Sequence, residues 1–231
     1  MSTAASATVS TKLPVRDRCL IEATRLFAAD GFAGTSLSGL AKAVGVTKAS
    51  LLHHFPSKDA LRSAVIDELL ERWKEVIPRA LMAAAGGKPR FEAIMGEVVY
   101  FFAQDSSRAR LLVRECLDRP EEMQGRLRRQ LVPYMGLVTE AIEQGQREGR
   151  IHEDLDPEAW VAEVAILSAS HFAMDTVSRA IAPEGAHDAD PNWTERQVTE
   201  LLRIAQISLF KPRPKVPARP AEFTSTEEPQ L

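Results

Sequence analysis

From Val15 to Ala29 the apolar residues Cys19, Leu20, Ala23, Leu26, Phe27 and Ala29 recur at spacings of three and four. That periodicity predicts an amphipathic helix, and Asp30-Gly31 supplies a glycine to close it. Phe32 to Ser36 reads as a short linker. A second stripe, Leu37, Leu40, Ala41 and Val44, stops at Gly45, with Thr35 or Ser36 suited to cap its start. Thr47 suits the cap of a third helix carrying Lys48 to Phe55, which Pro56 ends. Ser57 begins a longer fourth helix through Leu61, Val65, Leu69 and Trp73, with Pro78 at a kink or an end.

Gly86-Gly87-Lys88-Pro89 is a break. Helical patterns follow over about 90–104 and 106–118, and Pro120 with Glu121 and Glu122 opens a long helix to about Glu148, bent near Pro133. Residues 149–155 form a loop. Asp156-Pro157-Glu158 starts a helix to about Ile181, 182–192 is another loop, and Trp193 or Thr194 begins a last helix to Phe210. Alternating β-branched or aromatic runs are scarce, so the expected fold class is all-α. From Lys211 onward Pro212, Pro214, Pro217, Pro220 and Pro229 exclude a helix or a packed core. The expected division is a disordered arm over 1–11, a head over 12–58, a helical body over 59–210 and a Pro-rich tail over 211–231.

Charge changes this picture. The 231 residues carry a net charge of -3, which by itself argues against a phosphate-binding partner. Between Lys12 and Arg62, however, eight basic residues (Lys12, Arg16, Arg18, Arg25, Lys42, Lys48, Lys58, Arg62) face four acidic ones (Asp17, Glu22, Asp30, Asp59), giving +4 and leaving -7 elsewhere. A basic head on an acidic body fits a nucleic-acid-binding module joined to something else. Cys19 and Cys116 lie far apart inside apolar stripes and read as reduced thiols. No apolar run reaches the ~18 residues of a membrane span, and the first dozen residues lack the features of a secretory signal. The expected location is cytoplasmic, with no membrane partner.

The helix pair at 35–58 carries the most chemistry. Gly45 supplies a tight turn, Ala41 permits close approach, and Val44, Val46 and Leu51 lock the two helices together. The outer side of the second helix of the pair then presents Thr47, Lys48, Ala49, Ser50 and His53. These short or hydrogen-bonding side chains suit base edges in a major groove, and the helix N-terminus favours phosphate. His53 and His54 point about 100° apart on a helix and do not chelate a metal; one is expected under Phe55, the other outward.

The run from Thr35 through Gly45, Phe55 and Ser57-Lys58 to Leu61 resembles the DNA-binding domain of the TetR family of repressors. Ala23 to Phe32 resembles that family's first helix and its glycine-aromatic end. The resemblance covers about 50 residues. It implies that Thr47, Lys48 and Ser50 reach bases or nearby phosphates, that Lys58 contacts a phosphate, and that Thr35 and Ser36 approach the backbone. Leu52 stands where the family usually has a tyrosine, which shifts that contact toward His53 or His54. Glu143 to Asp156-Pro157 is similar to the family's loop before its eighth helix.

The resemblance further implies a body that binds a small-molecule effector and a homodimer that binds a palindromic operator in double-stranded DNA, with release by the effector. The two C-terminal helices are expected to pair with their copies through Trp160, Val164, Leu167 and Ile181 on one and Leu201, Leu202, Ala205 and Leu209 on the other. Candidate cavity residues are Phe101, Phe102, Met135, Trp160 and Phe172. Arg114, His171 and Asp175 join them as polar groups in apolar stretches that need a partner; an internal salt bridge or a bound effector would supply one. His152 with Glu153, Asp154 and Asp156, and His187 with Asp188 and Asp190, read as solvated loops. No nucleophile, base and orienter arrangement, phosphate loop or metal-ligand spacing stands out, so neither catalysis nor a cofactor is expected. The competing reading is a ligand-independent helical scaffold that binds DNA or a partner.

Overall fold

A computed structural model describes residues 13–83, 87–181 and 192–211, with the side chains at 76, 79–83, 87, 88 and 90 excepted. The expected N-terminal arm, the Pro-rich tail beyond Lys211 and the loop containing His187, Asp188 and Asp190 lie outside the described residues. Among those described there are eleven helices and one isolated antiparallel bridge, Ile151 to Phe210.

The head comprises α1 (Val15–Gly34), α2 (Leu37–Val44) and α3 (Lys48–His54). Gly31 does not end α1 as expected. It bends the helix at φ 76°, and the chain continues to Gly34. With ψ at 171° this is a backbone that side chains rarely adopt, and the tip of Arg114 from the body occupies the space a Cβ would take, its Nη1 2.5 Å from that position. Ser36 caps α2, its hydroxyl accepting from Gly39 N at 2.9 Å. Gly45, left-handed at φ 75°, ends α2, and the Thr47 hydroxyl accepts from Ser50 N at 3.1 Å to start α3. Leu20, Ala23, Phe27, Leu40, Val44, Leu51 and Phe55 close the head's core.

The body begins with α4 (Lys58–Ala83), capped by Ser57, and continues with α5 (Gly87–Ala103), α6 (Ser106–Asp118), α7 (Pro120–Gln130), α8 (Val132–Arg147), α9 (Pro157–Ala173), α10 (Asp175–Ile181) and α11 (Trp193–Leu209). Pro78 sits inside α4 and does not end it. Two expected long helices are each divided. The segment from Pro120 separates at Leu131, two residues before Pro133, whose ring and missing N–H disfavour a continuous ladder. The segment from Asp156 separates at Met174, where ψ reaches 26°.

The α8–α9 loop is pinned to the end of α11. His152 N donates to Leu209 O at 3.2 Å and Lys211 N to Arg150 O at 3.1 Å. Gly145 leaves the space that Ile151 fills, since a Cβ there would meet Ile151 Cδ1 at 2.5 Å.

Head and body are joined by packing of α1 on α4 and α6, and beside that junction a buried ion network ties α4 to α6 and α7 within the body. Arg62, 5% exposed, donates through Nε to both Glu115 oxygens at 3.0 and 2.9 Å and through Nη2 to Glu115 Oε2 at 2.5 Å. It also donates to Glu122 from Nη1 and Nη2 at 3.0 to 3.2 Å. Arg126 extends the network from Glu122 to Asp67 and Ser63. Phe32, at the end of α1, lies beneath three cations: Lys58 Nζ at 4.4 Å, Arg119 at 4.9 Å and Arg62 at 5.9 Å from the ring centre.

Candidate functional site

The outer surface of the head carries one candidate site. Thr47, Lys48, Ala49, His53 and His54 are exposed and Ser50 is half-buried along α3, with Ser36 exposed at the start of α2. The α3 N-terminus therefore stands open, its first turn satisfied by Thr47. Thr35 corrects the expectation: it is 6% exposed, and its hydroxyl donates back to Gly31 O at 2.9 Å. That side chain fastens the bend of α1 and does not face outward. Lys58 is half-buried, with its ammonium 3.4 Å from Ala33 O and over Phe32, so its remaining N–H donors alone are free to turn toward a phosphate. Neither histidine is buried under Phe55; the His54 ring lies 6.4 Å from it, tilted.

Counting charge along the chain overstated the head's outward cations. Arg62 is consumed by Glu115 and Glu122, and Arg18 Nη1 donates to Val44 O at 3.0 Å, tying α1 to α2. Conversely, Lys42 and Arg16 are exposed, and the Arg16 guanidinium lies 5.9 Å from the Phe55 ring at the end of α3. Both were within the basic count, but only the fold separates an outward lysine from an inward arginine.

The body holds the second candidate site, a cavity of about 680 Å³ walled by α4 to α9 and closed by the end of α11. Pockets for small molecules run roughly 300–1,000 Å³. Two aromatic groups frame it. Trp73 and Phe102 stand 5.8 Å apart on one side; Phe91 lies 6.2 Å from Trp160 and 5.5 Å from Phe210 on another. Of the expected cavity residues, Phe102, Met135 and Trp160 line it.

The others do not reach it, each for a visible reason. Phe101 is buried behind the wall, 4.6 Å from Trp73 and beneath Arg108 at 4.7 Å. Phe172 backs Phe102 at 6.4 Å. Arg114 turns to α1 and fills the space above Gly31. His171 packs edge-on to Phe172 at 5.0 Å, and burial lowers its pKa against the opposing pull of Asp175. Asp175 pairs with Arg179 Nε at 2.9 Å. For Asp175 the internal ion pair is therefore the answer. Sequence reading missed Trp73, Met95, Cys116, Val138 and Phe210 as lining residues. They belong to ordinary apolar stripes, and periodicity marks a residue as inward without distinguishing packed core from cavity wall. Burial pushes the Cys116 thiol up, so it stays protonated there.

The dimer face also differs from expectation. Of the residues expected there, Leu201, Ala205, Leu209 and Val164 are buried within the chain, whereas Leu167 and Ile181 are exposed as expected. Further exposed apolar residues lie on neighbouring stripes: Ile166 and Val177 on α9 and α10, with Ile204 and Ile207 on α11. Among the described residues no helix is long and apolar enough to cross a membrane.

Residues 20–65 match the family of bacterial regulatory proteins, tetR family. Over 47 residues the chain is 47% identical to the HTH-type transcriptional regulator RutR of Escherichia coli (strain K12), a match spanning 20% of this chain and 22% of that protein. It is 30% identical over 128 residues to the nucleoid occlusion factor SlmA of Marinomonas sp. (strain MWYL1), spanning 55% of this chain and 64% of that one. The fold resembles that of the ketosteroid transcriptional regulator KstR2 of Mycobacterium tuberculosis, with a TM-score of 0.62 at 19% identity over 89% of this chain and 100% of that chain. The glycine-turned helix pair thus lies within a segment, residues 20–65, that is similar to the tetR family of bacterial regulatory proteins, set in an all-helical fold that resembles those of solved regulators.

Proposed function

We propose that this protein is a homodimeric, cytoplasmic transcriptional regulator that binds a palindromic DNA operator through its head, residues 12–58. A small molecule in the cavity of the body, residues 59–210, releases it, so that it acts as a repressor. The observation that carries this reading is the pairing of an open, Thr47-capped α3 with an apolar cavity whose α6 wall packs directly on α1. On α3, Thr47, Ser50 and His53 suit base edges in the major groove and Lys48 a phosphate, with Ser36, Ala49, His54 and Lys58 at the margins. Exposed Ile166, Leu167, Val177 and Ile181 with Ile204 and Ile207 suit the pairing of α9 to α11 with their copies. Dimerisation would hold two α3 helices about 34 Å apart, one turn of DNA. A ligand that favours a different spacing would weaken binding by its differential affinity for the two arrangements.

A ligand-independent scaffold is the second reading, and the likeness to a nucleoid occlusion factor favours it. A cavity of this size weighs against it. Selection of duplexes from a random pool, followed by footprinting, tests the first reading. A two-fold symmetric site with half-sites one turn apart is expected, with an affinity falling steeply as salt rises. Failure to enrich any site, with binding indifferent to salt, would overturn it.

A further inference from the structure

The cavity's walls and rim are specific about charge. Its interior is built from apolar side chains such as Trp73, Met95, Phe102, Val138 and Val164. Among the described residues, charged side chains reach its lining at two positions, Glu148 and Arg150, both exposed at the rim. They are already paired: Arg150 Nε donates to Glu148 Oε2 at 2.7 Å, and Gln144 Nε2 donates to Glu148 Oε1 at 2.7 Å. The Gln144 Oε1 is in turn occupied by Arg147 at 2.8 and 3.0 Å. The rim thus presents one cation and one anion that satisfy each other. Among the described residues, the other polar side-chain groups of the lining are the protonated Cys116 thiol, the Ser170 hydroxyl and the indole N–H groups of Trp73 and Trp160, of which Trp160 donates to Ser208 Oγ at 3.0 Å.

A carboxylate or ammonium inside would shed water and find no unpaired opposite charge among the described lining residues, a transfer far less favourable than that of a hydroxyl. A single hydroxyl or carbonyl would need one hydrogen bond, which Ser170 can give. The size and apolar walls, meanwhile, reward burial of hydrocarbon.

We propose that the cavity takes an electrically neutral, predominantly apolar small molecule bearing at most one uncharged hydrogen-bonding group, and discriminates against the ionised form of the same skeleton. This rests on the reading of the cavity as the effector site, and it specifies the ligand's chemical class.

The test uses the full chain and the neutral fluorophore N-phenyl-1-naphthylamine, whose emission rises in apolar surroundings. Decan-1-ol, decanoate and decylammonium then compete for it at a pH where both ions are fully charged. Decan-1-ol is expected to displace the probe at a concentration at least about ten-fold below that of either ion. Ala141→Trp, which fills the lining, is expected to abolish probe binding while leaving the helical circular dichroism unchanged. Decanoate competing as well as decan-1-ol, and losing that ability in Arg150→Ala, would overturn the proposal by revealing an anion site at the rim. Probe binding that survives Ala141→Trp, or that no decyl compound displaces, overturns it as well. Operator affinity is measured separately. If decan-1-ol displaces the probe but leaves operator affinity unchanged, the effector role fails while the ligand class stands.

Discussion

Single residues decide how the head is held. Gly45 and Gly31 share a positive φ but differ in ψ, 37° against 171°, and in surroundings: a Cβ meets nothing within 4 Å at Gly45 and meets the end of the Arg114 side chain at 2.5 Å at Gly31. Gly45→Ala should therefore cost only the conformational penalty, about 1–2 kcal/mol. Gly31→Ala should cost more, because φ 76° with ψ 171° is a conformation essentially confined to glycine, and urea unfolding of the two variants checks the order. Arg62 and Glu115 form a buried pair at 5% and 4% exposure. Arg62→Ala should lose roughly 3–5 kcal/mol, because it strands a buried carboxylate. The double change Arg62→Met with Glu115→Leu should lose much less, and equal losses would show that packing rather than charge dominates.

Glu122 adds a pH dependence at the same junction. Its hydrogen bond from Arg62, with a further one from Arg126, holds its carboxyl below the usual value of 4.5. A depressed carboxyl pKa means that the unfolded chain takes up the proton first. The contribution is complete above about pH 4.5 and disappears as pH falls through the folded value. Glu122→Gln should flatten the fall in unfolding midpoint below about pH 4.5 relative to the unmodified protein; an unchanged slope would remove Glu122 from the account.

At the scale of elements, caps and prolines set the boundaries. Ser36, Thr47, Ser57, Asp105 and Asp156 each accept a backbone N–H at the start of a helix. Four of these caps are legible as a Ser, Thr or Asp just ahead of an apolar stripe; Asp105, before α6, was not singled out. Thr47→Ala should cost about 1 kcal/mol in stability. It should also weaken operator binding by more than α3 fraying explains, since the same hydroxyl faces outward. Thr47→Ser keeps that hydroxyl and should retain both the stability and the operator affinity. Helix breaks without a strong signal are different. Met174 ends α9 although nothing in the local sequence forbids continuation, and Pro78 leaves α4 whole although it could have ended it. Both outcomes depend on what the helix packs against.

At the scale of the whole molecule, the exposed apolar stripes of α9 to α11 and the cavity are without a partner among the described residues. Ile204→Glu with Ile207→Glu should leave a folded monomer by sedimentation, with operator affinity lost, because paired heads supply the half-site spacing. A variant that stays dimeric would move the interface elsewhere.

The sequence by itself determined the helical class, the glycine-turned pair at Gly45 and the caps that open α2, α3, α4 and α9. These are local matters, governed by periodicity, φ preference and hydrogen bonds between residues three apart. Tertiary structure alone decided which inward residues touch a cavity and which back it, as with Phe102 and Phe101. It also decided which of two apolar stripes on α11 is buried, and which basic residues of the head face out. Arg62 and Lys48 look alike in the chain, and only the arrival of Glu115, 53 residues later, turns one of them inward. Burial by distant elements is a property of the assembled layers, and no local pattern encodes it.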